Sequence, residues 1–162
     1  LCLMTAQIAN GGYKIYPQIV VDDKIKETPL DKFTPLYENS KNIKIVQDAM
    51  FGSTNEVMGT SYRSRILGEN KMAGKKGTSQ VRVISEKERE EGIIKNKDLP
   101  WNKRDHGLYV GYGPIDNPKY AVSVIIEHGG SGSRAAAPMA SKIFKFLFRK
   151  KMDIKRSSIV NV

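Results

Sequence analysis

Lys75-Lys76-Gly77-Thr78-Ser79 puts two cations, a residue without a Cβ and two hydroxyls in consecutive positions. A small-residue approach, Met72-Ala73-Gly74, precedes it, and a strand-like run, Val81-Arg-Val-Ile84, follows. That order suits a sheet edge against whose backbone a ligand can lie. Gly77 removes the side chain that would block close approach. A lysine supplies charge for an anionic group, and the short hydroxyls supply hydrogen bonds. On a strand, Lys76 and Thr78 share one face, and Lys75 and Gly77 share the other.

The remaining chemically capable residues are sparse. His106, His128 and Cys2 stand at unrelated spacings and make no metal signature, so the histidines read as structural and no cofactor is expected. One cysteine excludes an intrachain disulfide. Gly68-Glu-Asn-Lys-Met-Ala-Gly74-Lys75-Lys76 approaches a phosphate-binding loop. It has one residue too many between its glycines, and Lys76 stands where the magnesium-binding hydroxyl belongs. No serine has a lysine three residues on, so a Ser-x-x-Lys nucleophile is missing. Ser53-Thr54-Asn55 fits Ser-x-Asn by chance, only some twenty residues before the lysine motif.

These residues must be positioned by about one domain of chain, 162 residues long with 40% hydrophobic content. A formal net charge of +10 implies attraction to polyanions without choosing among them, and a basic nucleic-acid-binding module is the alternative it raises. No apolar run is long enough to cross a bilayer, and the start lacks a signal-peptide pattern. The chain begins without Met, in mid-helix by pattern, and is expected to be a fragment of something longer.

Leu1, Met4 and Ile8 recur at helical spacing, with Gly11-Gly12 as the stop. Tyr13 to Val21 reads as a strand pair or extended arm, and Asp22 to Asn39 as loop. Ser40 caps a helix with Ile43, Val46 and Met50 on one face, ended by Gly52, and Gly59-Thr60-Ser61 opens a short helix. Strands are predicted at about 71–84, 106–113 and 119–128, the last two joined by the turn Pro114-Ile-Asp-Asn-Pro118. The third strand is apolar on nearly both faces, as for a central strand covered by helices. Glu86 to Asp105 is a charged, solvated connection in which Trp101 should pack on something. Gly129 to Ser133 reads as a flexible joint. A helix at 137–149 should bury Met139, Ile143, Phe146 and Leu147, with Lys142, Lys145 and Arg149 on its wet face. Residues 150–162 read as a basic, flexible tail.

The Lys-x-Gly-Thr strand resembles the third motif, Lys-Thr/Ser-Gly, of penicillin-binding proteins and serine β-lactamases, with Lys76 in place of the middle hydroxyl. Asn55 to Arg65 is similar to the family's Gly-Thr segment upstream of that motif. Glu88-Arg89, Asn96 to Trp101, Arg104-Asp105-His106, Val110 to Pro118 and Glu127 to Gly130 resemble the class B, elongation-specific group, penicillin-binding protein 2. The resemblance runs from Leu1 to about Phe148, and it assigns residues 1–149 to the C-terminal part of the transpeptidase domain.

The resemblance implies an α+β fold, an antiparallel sheet covered by helices. It implies a peptidoglycan D,D-transpeptidase that cross-links stem peptides through an acyl-serine intermediate and is inhibited by β-lactams. Its expected partners are stem peptides, the elongation machinery and a polytopic glycan polymerase, with no nucleic acid. The expected location is the inner membrane, with this domain in the periplasm. Lys75 would join the catalytic hydrogen-bond network. Thr78 would bind the substrate carboxylate through its hydroxyl and lend its backbone N–H to the oxyanion hole, beside Gly77. Lys76 either replaces the family's hydroxyl contact with an ion pair or crowds the groove with its long stem. Both absent motifs are expected upstream of Leu1, so this chain alone should not acylate.

Overall fold

A computed structural model describes residues 1–19 and 32–159, with side chains described as far as 149. The chain runs α1 (Cys2–Ala9), α2 (Ser40–Asn55), β1 (Ala73–Ser79), α3 (Glu86–Glu91), β2 (His106–Gly113), β3 (Tyr120–Ile126) and α4 (Ala137–Ile159). The three strands form one antiparallel sheet in the order β1-β2-β3. The α+β class and the antiparallel neighbours follow the expectation. Among the described residues β2 is central, and β3, expected there, is outermost. Its two-sided apolarity has another cause: α1 packs over one face and α4 over the other.

The lysine-bearing strand is shorter than the predicted 71–84. Its last pair is Ser79 with His106, where β2 begins, so nothing remains for Val81 to Ile84 to bond to as a strand. Val83 is accordingly 92% exposed. The Val81 N–H reaches the Asp105 carboxylate at 3.4 Å, and Arg82 grips Glu88 on α3 through both guanidinium nitrogens. The following connection is not a featureless solvated run. It contains α3 and two 3-10 turns, at Asn96–Asp98 and Trp101–Lys103.

Several helix faces differ from the periodic reading. In α4 the buried line is Ala137, Ala140, Ser141, Phe144 and Phe148; Met139 (43%), Ile143 (36%) and Phe146 (66%) are exposed. Both faces carry apolar residues at helical spacing, and the alanines win because their small side chains let the helix lie close on Tyr109, Met72 and Val124. The helix also continues past 149 to Ile159. In α1 the buried residues are Thr5 and Ala9, while Leu1 and Met4 are exposed. In α2 the cap is Asn39, whose side chain accepts the Lys41 N–H, and the helix runs through Gly52 to Asn55. Its buried residues are Met50 and Thr54, with Val46 exposed. The turn expected to open at Gly59 is a single 3-10 turn at Tyr62–Ser64. Tyr13 makes one bridge to Pro35, as an extended arm, and residues 20–31, part of the stretch predicted as arm and loop, lie outside the described residues.

The segment after β3 is no loose joint. The Gly130 N–H bonds to the Asp105 carbonyl at 2.8 Å, and the Ala135 N–H to the Ser131 carbonyl at 2.8 Å. A Cβ on Gly132 would stand 2.3 Å from the carbonyl oxygens of both Gly77 and Leu108. Only glycine lets this turn rest on the backbones of β1 and β2. A Cβ on Gly77 would meet only Leu108 Cβ, at an ordinary 3.5 Å. Gly132→Ala should therefore cost about 1–3 kcal/mol of stability through forced overpacking against immovable backbone. Gly77→Ala should stay within about 0.5 kcal/mol. Urea unfolding of the two variants checks the contrast, and equal losses would contradict it.

Candidate functional site

β1 is an edge strand among the described residues, and how that edge is treated defines the site. In an extended antiparallel strand the N–H and C=O of one residue point to the same side, and neighbouring residues point oppositely. Asn55 donates to the Met72 carbonyl at 2.9 Å, and Thr54 Oγ1 to the Gly74 carbonyl at 3.2 Å, both from the end of α2. Those carbonyls face outward, so the Lys76 and Thr78 backbone groups do too. The Lys75 ammonium folds over to donate to the Lys76 carbonyl at 3.1 Å. The Thr78 N–H and C=O are left along the open edge.

Ser53-Thr54-Asn55, set aside as a chance match to Ser-x-Asn, thus has a structural task that sequence reasoning missed. Thr54 is buried and spends its one proton on Gly74, so the Tyr109 hydroxyl, 3.0 Å away, must donate to Thr54. Burial pushes the Tyr109 phenol up to about 12, and it stays a neutral donor. Met50 packs beneath with Ala73, Tyr112 and Ala9. The helix–strand contact is therefore both apolar and hydrogen-bonded.

Lys75, Lys76, Gly77 and Thr78 all lie on β1 as expected, with Lys75 and Thr78 exposed and Lys76 and Gly77 half-buried. Lys76 shares its face with Tyr109, its cross-strand partner, and Thr78 shares its face with Gly107. The Lys75 side chain lies on the α2 side, lining an open cleft of about 390 Å³ with Ser53, Glu56 and Thr60. The two lysines therefore leave the strand toward different surroundings. A carboxylate laid along the outer edge would meet the Thr78 backbone and hydroxyl, with the ammonium groups adding positive potential. No group of three or more His, Cys, Asp or Glu able to hold a metal occurs among the described residues.

Beyond the strand, His128 donates its Nδ1–H to the Arg104 carbonyl at 2.9 Å, and its backbone N–H donates to His106 Nδ1, also at 2.9 Å. These bonds set both rings as structural pieces. Trp101 finds its packing partner here: its ring lies 4.4 Å from that of His128, although it remains 62% exposed. The Arg82 pair, helped by the Ile94 N–H, holds the Glu88 carboxyl down to about 2, against the cost of its partial burial. A carboxylate depressed in the folded state stabilises fully above its ordinary value of 4.5, and that contribution is lost as pH falls toward 2. The Glu88 carboxyl carbon should accordingly titrate near 2 by NMR, and Arg82→Gln should return it toward 4.5. A wild-type midpoint near 4.5 would rule out the pair in solution.

Comparison with known proteins gives these features a family. Residues 1–145 match the penicillin binding protein transpeptidase domain. The chain is 37% identical over 152 residues to the peptidoglycan D,D-transpeptidase MrdA of Salmonella typhimurium, covering 90% of this chain and 24% of the relative. The Acinetobacter baumannii protein of the same name is 30% identical over 164 residues, covering 96% and 23%. Among solved structures, the Helicobacter pylori penicillin-binding protein PBP2 in complex with MreC superposes with a TM-score of 0.70 at 26% identity, over 91% of this chain and 24% of that one. Pseudomonas aeruginosa PBP2 in complex with WCK 5153 gives 0.63 at 29% identity, over 89% and 28%. The chain spans about a quarter of the length of these relatives. It belongs to the penicillin-binding protein transpeptidase family, and it resembles the penicillin-binding protein 2 members of that family.

Proposed function

We propose that this chain forms one wall of the substrate groove of a peptidoglycan D,D-transpeptidase. The observation that carries the reading is the Lys75-Lys76-Gly77-Thr78 strand with the Thr78 backbone turned to an open edge. In the proposed reaction a serine hydroxyl oxygen attacks the carbonyl carbon of a D-alanyl-D-alanine bond. The amide breaks, D-alanine leaves with the proton, and the acyl group then passes from serine to an amine of a neighbouring stem peptide. A β-lactam would acylate the same serine. The nucleophile belongs to the longer protein of which this chain is a part in the proposal, because no Ser-x-x-Lys occurs here.

Within that reaction Lys75 supplies positive potential to the proton network around the serine. Thr78 binds the substrate carboxylate with its hydroxyl and stabilises the developing oxyanion with its N–H. Gly77 keeps the approach clear, since nothing in the fold itself needs its missing Cβ. Lys76 either gives the carboxylate an ion pair in place of the hydroxyl contact that the family motif implies, or crowds the groove with its long stem. Partners in this reading are the elongation machinery and a polytopic glycan polymerase, and the place of action is the outer side of the inner membrane. Among the described residues no helix is long and apolar enough to cross a membrane. Of the strand tyrosines that a nucleic-acid surface would use for stacking, Tyr109 and Tyr112 are buried and Tyr120 is half-buried.

Lys75→Ala in the longer protein should slow acylation by a penicillin about a hundredfold, about 3 kcal/mol of transition-state stabilisation. Thr78→Val should cost about 1–3 kcal/mol, because the hydroxyl bond is lost and the backbone N–H survives. Lys76→Thr should preserve the rate or raise it. Second-order acylation rates across the three variants test this; a dead Lys76→Thr with an intact Lys75→Ala would make Lys76 the functional lysine. The 162-residue chain by itself should give no covalent adduct with a fluorescent penicillin, as read on a denaturing gel. Stoichiometric labelling of one of its own serines would overturn the placement of the nucleophile.

A further inference from the structure

Thr54 lies at the end of α2, outside the strand that carries the proposed chemistry, yet it is fully buried. Its hydroxyl donates to the Gly74 carbonyl at 3.2 Å and accepts the Tyr109 hydroxyl at 3.0 Å. The Gly74 carbonyl carbon is bonded to the Lys75 nitrogen, and a peptide unit is planar. Thr54 therefore holds the plane from which Lys75 departs. The next outward carbonyl is that of Lys76, and the Lys75 ammonium donates to it at 3.1 Å. The lysine is thus referred to two carbonyls of one strand edge, and α2 sets the first of them. Lys75 also shares its cleft with Ser53 and Thr60, so the spacing between α2 and β1 decides where the ammonium stands.

The clamp is pinned from both sides. On the helix side, Asn55 Nδ2 donates to the Phe51 carbonyl of its own helix at 3.1 Å as well as to the Met72 carbonyl of the chain leading into β1. The Ser61 N–H donates to the Ser53 carbonyl at 2.9 Å. Gly59 comes so close to the Gly52 and Ser53 carbonyls that a Cβ there would collide with both. The last turn of α2 is therefore fixed by the loop that follows it. On the sheet side, Tyr109 shares a face with Gly74 and passes beneath it, and a Cβ on Gly74 would collide with the Tyr109 hydroxyl. A buried hydroxyl or carbonyl left without a partner is costly, so the three groups hold one another in a single arrangement.

We propose that Thr54 is a positioning residue for acylation: through the Gly74 carbonyl it fixes the direction in which Lys75 leaves β1, and so the place of the ammonium in the groove. The proposal rests on the transpeptidase reading for what Lys75 does, and on the geometry alone for how Lys75 is held. Threonine has one hydroxyl proton, and here it goes to Gly74. Tyr109 therefore supports Thr54 from behind without carrying the Gly74 contact. Loss of the Tyr109 hydroxyl leaves that contact in place, whereas loss of the Thr54 hydroxyl removes it. This asymmetry separates positioning from mere stability, because both changes give up a buried hydrogen bond.

Second-order acylation by one penicillin is measured in the longer protein, at a temperature where melting curves show every variant folded. Thr54→Val keeps the side chain's shape, removes the donor, and should slow acylation about tenfold or more. Thr54→Ser restores the donor and should return the rate to within about threefold of the wild type. Tyr109→Phe keeps the Thr54–Gly74 bond and should stay within the same range. Phe148 packs on Tyr120 and Phe144, so Phe148→Leu serves as a destabilised control and should leave the rate unchanged. In the 162-residue chain the Gly74 carbonyl carbon resonance should move in Thr54→Val and hold in Tyr109→Phe. Rates that simply follow melting temperature across the four variants overturn the proposal, as does a Thr54→Val rate equal to the wild type, an equal loss in Tyr109→Phe, or a Gly74 resonance unmoved by Thr54→Val. A longer protein that reacts with penicillin regardless of Thr54 refutes this proposal alone. One that never reacts refutes the transpeptidase reading, and the Gly74 resonance then decides by itself whether Thr54 holds the plane.

Discussion

A sheet edge left open at one place and closed everywhere else is the constraint on which the rest of this molecule depends. β1 is bonded to β2 along its inner side from Ala73 to Ser79. On its outer side Asn55 and Thr54 satisfy the carbonyls of Met72 and Gly74, and the Lys75 ammonium covers that of Lys76. An unpaired strand edge invites pairing with another chain, and buried carbonyls without partners are costly. Here the buried end of the edge is satisfied by side chains, and only the exposed end remains for a ligand. The Tyr109–Thr54–Gly74 relay ties that arrangement to the core, because the Tyr109 ring sits among Phe144, Met72 and Val124.

The other end of β1 is held by contacts that no single element supplies. Gly132 presses backbone to backbone against Gly77 and Leu108, so the strand cannot bow toward α4. Arg82 and Glu88 turn the chain away immediately after the strand, and the Asp105 carboxylate gathers Val81 and Asn96 beneath it. The Trp101, His128 and His106 rings, packed at steep angles to one another, close the same corner. The open edge and the turn after β3 thus share one scaffold, because Gly132 rests on Gly77, the neighbour of Thr78 in β1.

Much of this was legible in the residues. The Lys-x-Gly-Thr order and the Pro114 to Pro118 turn between two apolar runs locate the site strand and its hairpin, because motif order and turn chemistry are local properties. The absence of Ser-x-x-Lys is equally a property of sequence. The end of β1 was not legible. Val81 to Ile84 has strand composition, but a strand lasts only as long as its neighbour, and β2 starts at His106.

Tertiary structure alone decided which faces are buried and which small residues are indispensable. Periodicity in α4 offered two apolar stripes, and the sheet accepted the one with Ala137 and Ala140 because close packing rewards the shorter distance over the larger side chain. Thr54 and Asn55 looked like a coincidental motif until the carbonyls of Met72 and Gly74 stood beside them. Gly129 to Ser133 looked loose because glycine and serine are shared by flexible linkers and by tight contacts. Which one a stretch becomes depends on what lies across from it, and here that is the backbone of Gly77 and Leu108, far away in the chain.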